Sequence, residues 1–203
     1  MSVARRFLLC LSLATGLVVP ASQVSAQPGV RQEYYVKAGV IGVLPKFAKW
    51  PPGDAPAPGK PLVIGILGQD PFVENGVNQL DQAVAKANAG GANIVVKRFP
   101  SAKNYESSHI LFVSNAAEAE SEEQTLDARW AAAKKLTAGK SVLVVGEADG
   151  LAKKGVVANL VVDPVTNFVQ LEINPDAASR AGLKLQPQLL GLKIVKIVRD
   201  PKN

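Results

Sequence analysis

Residues 62–91 read LVIGILGQDPFVENGVNQLDQAVAKANAGG and contain the alternation from which the fold class follows. Leu62–Leu67 is a short apolar run, which predicts a buried β-strand. Asp70 followed by Pro71 has the pattern of a helix cap with proline at the first helical position, so we expect a helix to begin there. The closing Gly-Gly pair is expected to end that helix. A strand followed by a helix is the repeating unit of an α/β fold.

The alternation of strands and helices extends in both directions from this stretch. Further apolar strands are predicted at 92–99, 109–114 and 140–146. A second long helix is predicted from Glu118 to about Ala138, because its acidic beginning and basic end suit the helix dipole. Upstream, apolar residues spaced by three and four predict an opening helix over Val30–Trp50, which Pro45 should kink or divide near its last turns. A loop rich in proline and glycine follows at 51–59.

The pattern changes after the strand that ends at Gly146. Val156–Val162 and Phe168–Ile173 are separated only by the turn sequence DPVTN, which predicts an antiparallel hairpin. Asn174 followed by proline begins a short helix, and Leu183–Val198 closes the chain with a spacing that fits a helix in its first part and a strand in its last. These elements predict a single compact α/β domain. Its mixed, mainly parallel sheet is expected to carry helices on both faces and to include a C-terminal antiparallel hairpin.

The first 26 residues have the composition of a secretory signal peptide. Two arginines precede an apolar stretch, Phe7–Pro20, and Val24 and Ala26 occupy the −3 and −1 positions of a cleavage site. We therefore expect cleavage after Ala26, a mature domain over 27–203 and a periplasmic location.

The residue composition excludes several kinds of site. Cys10 and His109 are the only cysteine and the only histidine, which excludes a zinc finger, a Cys–His nucleophile and a disulfide scaffold. No Walker loop, dinucleotide fingerprint or EF-hand loop occurs, so we expect no metal and no cofactor. The net charge is +6, but the basic residues are scattered, and nucleic acid is not an expected partner. His109 is expected to be a hydrogen-bonded residue at a strand end, with a ligand or pH-sensing role as the alternative.

Three strands of the predicted sheet end in a small residue followed by polar ones. The carboxyl ends of parallel strands meet at one edge, which is where ligands bind in open α/β sheets. This edge is therefore the candidate small-molecule cleft, and its expected lining is Gly68, Asp70, Ser114, Asn115, Gly146 and Glu147. Asp70 also has a simpler interpretation, in which it caps a helix and does nothing more.

An enzymatic activity is not expected from this sequence. Glu172 could pair with Glu147 or Asp149 as acid and base, but nothing in the sequence brings them together, and a solvated surface role is favoured. No Gly-x-Ser-x-Gly elbow is present. A hydrolase that depends on Glu172 or Ser114 is the remaining enzymatic alternative.

Six short motifs, in the same order, resemble those of a known family. They are KFAKWP at 46–51, LVIGILG with DPF at 62–72, HILFVS at 109–114, VLVVG at 142–146, EIN at 172–174 and AGLK at 181–184. Over Tyr34–Val198 the chain resembles the YfiR family of periplasmic regulators. It departs from the pattern at Ser108, where members often carry a cysteine, and at Gly42 and Pro45, where members usually have larger helix-forming residues.

The resemblance implies a non-enzymatic protein that restrains an inner-membrane diguanylate cyclase by binding its periplasmic part. Release of that restraint would raise cyclic di-GMP and favour biofilm formation. Related domains are attached to sensor kinases, so a sensor kinase is the other expected partner. Redox regulation through disulfides does not carry over, because the mature chain has no cysteine.

The opening helix and the adjacent sheet edge are the expected contact with such a partner. Phe47, Lys49 and Trp50 are the candidate partner-binding residues. Trp50 is the best interface anchor among them, because tryptophan is enriched among residues that carry binding energy; packing inside the domain is the simpler interpretation of both aromatic residues. A homodimer is a further expected assembly. The alternative function is a periplasmic sensor that binds a small ligand in the strand-end cleft.

Overall fold

The computed structural model describes residues 28–201, so the predicted signal peptide (1–26) and its cleavage site lie outside the described residues. The helices of this part of the chain are α1 (Pro28–Val43), α2 (Gln79–Ala89), α3 (Leu126–Thr137), α4 (Pro175–Arg180) and α5 (Pro187–Leu190). The strands are β1 (Ala48–Lys49), β2 (Leu62–Leu67), β3 (Val73–Glu74), β4 (Val77–Asn78), β5 (Ile94–Phe99), β6 (Ile110–Val113), β7 (Leu143–Gly146), β8 (Ala158–Val162), β9 (Val169–Ile173), β10 (Lys184–Leu185) and β11 (Val195–Ile197).

Seven of these strands form one sheet in the order β11-β9-β8-β7-β6-β2-β5. Neighbouring strands run parallel, except β8 and β9, which form the predicted antiparallel hairpin. The sheet is therefore mixed and mainly parallel, as the alternation of strands and helices predicted. The short strands pair separately, β1 with β10 and β3 with β4.

Helices cover both faces of the sheet, which confirms the predicted fold class. Successive residues of a strand point to opposite faces, and β6 shows the consequence. Ile110 and Phe112 join the apolar cluster beneath α1, α2, α4 and α5, whereas Leu111 and Val113 join the cluster beneath α3. The domain thus has two apolar layers, one on each side of the central strands.

The opening helix is divided at Pro45, as predicted, but it is shorter than expected. α1 ends at Val43, a 3-10 turn follows at Leu44–Lys46, and the chain then enters strand β1. Proline lacks the backbone N–H that a continued helix would need. The predicted helical extension to Trp50 is therefore wrong.

The prediction that a helix begins at Asp70 and Pro71 is also wrong. The chain forms the small β3–β4 hairpin there, turning through Asn75 and Gly76, which both have positive φ. Asn-Gly is the strongest short sequence signal for such a turn, and in the folded chain it prevails over the cap signal that precedes it. α2 begins at Gln79, nine residues after Asp70, and its cap is Asn78, whose side chain accepts hydrogen bonds from the N–H groups of residues 80 and 81 at 3.0 Å.

The second long helix begins later than its acidic residues suggested. α3 starts at Leu126, with Thr125 as its cap. In the preceding segment the side-chain amide of Gln124 donates to the carbonyl groups of Glu118, residue 119 and Ser121. These bonds hold residues 118–124 in a compact loop, so the predicted start at Glu118 is wrong.

In the C-terminal part, the predicted helix cap at Asn174 is confirmed, and the last predicted segment is divided into three elements. Asn174 is buried and caps α4, accepting from the N–H groups of residues 176 and 177. The segment Leu183–Val198 contains β10, α5 and then β11, which lies parallel to β9 at the edge of the sheet. Its helical and strand-like spacings therefore belong to successive parts of the segment.

Candidate functional site

The carboxyl ends of β2, β6 and β7 meet at one edge of the sheet, as the parallel pairing requires. Gly68 follows β2 with φ +97°, and a side chain there would place its Cβ 2.6 Å from the carbonyl oxygen of Ala116. Both the backbone conformation and the close approach require glycine at this position. Residues that follow the three strands are thereby brought close together.

Glu147 is the central residue of this edge. Its side chain is fully buried and accepts a hydrogen bond from the Lys37 ammonium group, Nζ to Oε2, at 2.9 Å. Its other oxygen accepts the backbone N–H of Asn115 at 2.7 Å, and the Asn115 side-chain amide donates to the Glu147 carbonyl at 3.1 Å. The structure therefore brings the predicted residues Asn115 and Glu147 together, and it adds Lys37 from α1.

Two further residues of α1 complete the charged cluster. Glu33 lies one turn before Lys37, with its Oε1 2.5 Å from the ammonium nitrogen. The hydroxyl of Tyr34 donates to the Glu147 carboxylate, and burial, with the negative charges of Glu147 and Glu33, raises the pKa of Tyr34 above its ordinary value. The same ammonium group lies 4.8 Å from the centre of the Tyr34 ring. One lysine thus neutralises two carboxylates beside a phenol that keeps its proton.

Ser114 is held by a second buried cation, Arg129 of α3. The guanidinium donates from Nε to the Ser114 carbonyl at 3.0 Å and also to the carbonyl groups of Asn115, Glu123 and Gln124. Burial lowers the pKa of Arg129 from its ordinary value, and these backbone acceptors compensate the buried charge. Arg129 therefore holds the beginning and the end of the loop between β6 and α3 together.

The sequence signals for these two cations were weak. Arg129 lies three residues after Leu126 and four before Ala133, so it shares the inward face of α3. Lys37 likewise lies four residues before Ile41, on the inward face of α1. A charged residue within an apolar helical face indicates a buried partner. The sequence of the helix does not show which residue is the partner of the buried charge.

Asp70 belongs to a different group of contacts. Its carboxylate accepts from the N–H of Phe72 at 2.9 Å, from the side-chain amide of Asn78 at 2.7 Å and from Nε of Arg98 at 2.7 Å. Arg98 also binds Asp81 of α2 through two hydrogen bonds. Asp70 therefore joins the β3–β4 hairpin, α2 and β5.

Gly146 lies where no larger residue fits. A Cβ there would be 2.7 Å from Cδ1 of Leu151 and 3.0 Å from Oδ1 of Asn159. The Asn159 side chain is buried and donates to the Ala148 carbonyl and to Glu172, whose carboxylate also lies 3.5 Å from Lys196. The two glutamates thus have separate partners. Glu172 contacts Asn159 and Lys196, whereas Glu147 contacts Lys37.

The predicted partner-binding residues lie around the β1–β10 ribbon. Ala48 is paired with Leu185, and Lys49 with Lys184. Lys49 is exposed, while Phe47 and Trp50 are half-buried and pack against the core. The Trp50 ring lies edge-on to His109, with ring centres 6.1 Å apart. Of the three, Lys49 is the most accessible.

His109 is hydrogen-bonded at the beginning of β6, as predicted. Its Nδ1 accepts the backbone N–H of Val63 at 2.9 Å, so this nitrogen carries no proton. Burial lowers the pKa of His109 below its ordinary value. The imidazole is therefore neutral, and it accepts a hydrogen bond that connects β2 with the beginning of β6.

Two other features concern possible cofactors and membranes. Within residues 28–201, no three histidine, cysteine, aspartate or glutamate side chains come together as a metal-binding group. Over the same residues, none of the helices combines the length and the apolar character needed to cross a bilayer.

Comparison with known proteins shows one family. The sequence model of the YfiR/HmsC-like family matches residues 34–193. No curated protein matches the chain in sequence. Among solved structures, it is similar to an ABC domain from Streptococcus pneumonia in complex with L-Trp (TM-score 0.46, 11% identity, 84% of this chain covered). It is also similar to a conserved domain protein from Vibrio cholerae O1 biovar El Tor (TM-score 0.44, 15% identity, 85% of this chain covered). The match covers 60% of the length of each of these structures.

Proposed function

The chain belongs to the YfiR/HmsC-like family, and we propose that it is a non-enzymatic periplasmic regulator. It binds the periplasmic part of an inner-membrane signalling protein, a diguanylate cyclase or a sensor kinase, and restrains its activity. The observation that carries this proposal is the family match, which extends from the first turns of α1 to the segment before β11. Through a cyclase partner, the protein would limit cyclic di-GMP and biofilm formation.

The contacts at the carboxyl edge of the sheet support binding rather than catalysis. Two of the three carboxylates considered as acid or base are engaged by a cation, Glu147 by Lys37 and Glu172 by Lys196. A general base needs a carboxylate that can accept the proton of a substrate. In this arrangement the charged groups connect secondary-structure elements and stabilise the shape of the surface.

The mechanism of restraint follows from mass action. A regulator that binds the inactive state of a signalling protein more tightly than the active state shifts the population toward the inactive state. The shift is limited by the ratio of the two affinities. The protein therefore needs a surface that recognises one conformation of its partner, and it needs no chemistry of its own.

A capture experiment with membranes tests this function. The mature protein, tagged and expressed in its own cells, is recovered from solubilised membranes, and co-purifying proteins are identified by mass spectrometry. We expect a membrane diguanylate cyclase or sensor kinase, and we expect the purified protein to lower the output of that enzyme when added to membranes. Recovery of neither class, or an unchanged output, would contradict the proposal. Amino-terminal sequencing of the recovered protein, expected to begin at Gln27, checks the export step.

A small-ligand sensor is the second candidate function. It is favoured by the convergence of Gly68, Ser114, Asn115 and Glu147 at the sheet edge where ligands bind in related architectures. Thermal unfolding against amino acids and nucleotides tests it, since a ligand at 100 times its dissociation constant adds about 2.7 kcal/mol of stability. An Asn115→Ala variant should lose the shift. No shift with any compound would contradict a ligand of these classes.

A further inference from the structure

The helices α1 and α2 leave an open groove of about 460 Å³ between them. One wall is formed by Tyr35, Gly39 and Val43, which are spaced by four residues and so share one face of α1. The facing wall includes Ala83, and Lys46 and Lys86 also line the groove. The apolar surface in it is unusually accessible, since Tyr35 is 64% exposed and Val43 is 41% exposed. Exposed apolar surface collected in one concave place is typical of an interaction site.

Gly39 is the residue that keeps this groove open. Glycine inside a helix lowers the stability of the helix. Packing explains Gly42, because a Cβ there would lie 3.1 Å from Ala83, but a Cβ on Gly39 would meet nothing within 4 Å. Within the described part of the chain, no neighbouring group requires Gly39 to lack a side chain. The missing side chain leaves room for an external group.

The charges around the groove are positive and uncompensated. Within residues 28–201, Lys46 and Lys86 have no ion pair. The ribbon that begins just after Lys46 adds two more such cations, because Lys49 and Lys184 are exposed and directly opposite each other. Like charges in facing strand positions destabilise the pairing. Negative charge supplied from outside would relieve this repulsion.

We propose that this groove receives an amphipathic helix or extended segment of the membrane signalling protein, with its apolar side between α1 and α2 and its acidic side chains toward Lys46 and Lys86. Insertion of an apolar face into a groove between helices is a common mode of peptide recognition. The inference rests on the proposed function, because it assigns the partner of that function to one surface.

The positive charge of the groove also favours the partner segment over two other occupants, the leader of the same chain and a second copy of the protein. The leader of the same chain, residues 1–26, contains two arginines and no aspartate or glutamate, so it does not complement the lysines. A second copy docked through the same groove would bring two sets of unpaired lysines together. An acidic segment of another protein fits both the apolar walls and the charge.

Variants of the full-length protein in membrane capture test the proposal. Gly39→Leu fills the groove with a residue that favours the helix, so it should unfold at the temperature of the wild type or above it. Lys46→Glu/Lys86→Glu reverses the charge at the groove. We expect each to reduce recovery of the signalling protein about tenfold or more. Gly39→Ala adds a single carbon to the groove and should reduce recovery less than Gly39→Leu does. The matched control, Lys135→Glu on α3 at the other face, should recover the signalling protein as the wild type does.

A photo-crosslinking residue at position 35 identifies the occupant directly. We expect the crosslink on an acidic, apolar segment of the signalling protein. If the wild type recovers that protein and the groove variants recover it equally, the groove is the wrong surface while the proposed function stands. A crosslink to a second copy of this chain also overturns the groove assignment. If the wild type recovers no membrane signalling protein, the proposed function fails and the groove assignment fails with it.

Discussion

Lys37 on α1 and Glu147 after β7 form a buried ion pair, with 2.9 Å between the ammonium nitrogen and the carboxylate oxygen. Their side chains are only 2% and 0% exposed, and 110 positions separate them in the sequence. Because Glu147 also accepts the backbone N–H of Asn115, this pair connects the opening helix with the ends of two central strands. The pair therefore adds a charged contact to the apolar packing of Ala38 and Ile41 that holds α1, and the groove beside it, on the sheet.

Lys37→Met should destabilise the protein strongly. It leaves the Glu147 carboxylate buried without its cation, which typically costs about 3–5 kcal/mol. Urea unfolding monitored by tryptophan fluorescence measures the change. The matched control is Lys154→Met, which removes an exposed lysine paired with Asp127 and should cost less than about 1 kcal/mol. Equal effects of the two substitutions would show that the buried pair does not hold α1.

Gly68→Ala and Gly39→Ala should change stability in opposite directions. Alanine at Gly68 is strained by the positive φ and by the nearby Ala116 carbonyl, so we expect a loss above about 1 kcal/mol. Alanine at Gly39 meets nothing and improves a helix interior, so we expect a gain of about 0.5–1 kcal/mol. Thermal and urea unfolding of the two variants check the signs, and a loss at Gly39 would mean that its surroundings differ from those described.

Arg129→Lys should be costly although the charge is kept. The guanidinium donates to four backbone carbonyl groups through three nitrogens, and a single ammonium group cannot reach all of them. Because the remaining carbonyl groups lose their donors, we expect a loss of about 1–3 kcal/mol. The exposed Arg199 provides the control, since Arg199→Lys should be nearly neutral. Hydrogen exchange should show faster opening of residues 114–124 in the Arg129 variant alone.

His109 should make stability fall as the solution is acidified. Burial lowers the pKa of His109 in the folded protein, so the unfolded chain binds a proton first as the pH decreases. Stability is therefore full above the ordinary histidine value, near 6.5, and is lost as the pH falls through it toward the lower folded pKa. Protonation of Nδ1 would also remove the acceptor of the Val63 N–H.

The His109→Gln variant isolates this contribution. Urea unfolding of the wild type and of the variant between pH 5 and pH 8 should give a smaller difference between the two proteins at pH 5 than at pH 8. A difference that stays constant over this range would show that His109 titrates alike in the folded and unfolded chains.

Most of the fold could be predicted from local pattern. The central strands β2 and β6 and the hairpin formed by β8 and β9 were recognisable because apolar runs and turn residues act over a few positions. The two wrong helix starts, at Asp70 and at Glu118, have the same origin. Several residues in each region can cap a helix, and the choice of Asn78 and Thr125 depends on the loops that Arg98, Gln124 and Arg129 stabilise.

The candidate site was predicted in part. The strand ends carrying Gly68, Ser114 and Gly146 follow from parallel order alone, because parallel strands end at the same edge. Lys37 and Arg129 were not predicted, although they organise that edge. Their helical spacing showed only that they face inward. Asp70 was assigned to the same edge, and the structure shows that its carboxylate binds Arg98.

By itself, the sequence determined the fold class, the order of strands and helices and the edge at which polar residues collect. Those properties depend on backbone propensity and apolar periodicity, which are local along the chain. Only the tertiary structure decided which charges neutralise each other and which remain unpaired at the surface. A buried charge needs a counter-charge or several hydrogen-bond acceptors close in space, and Lys37 and Glu147 become close only after α1 has packed on the finished sheet.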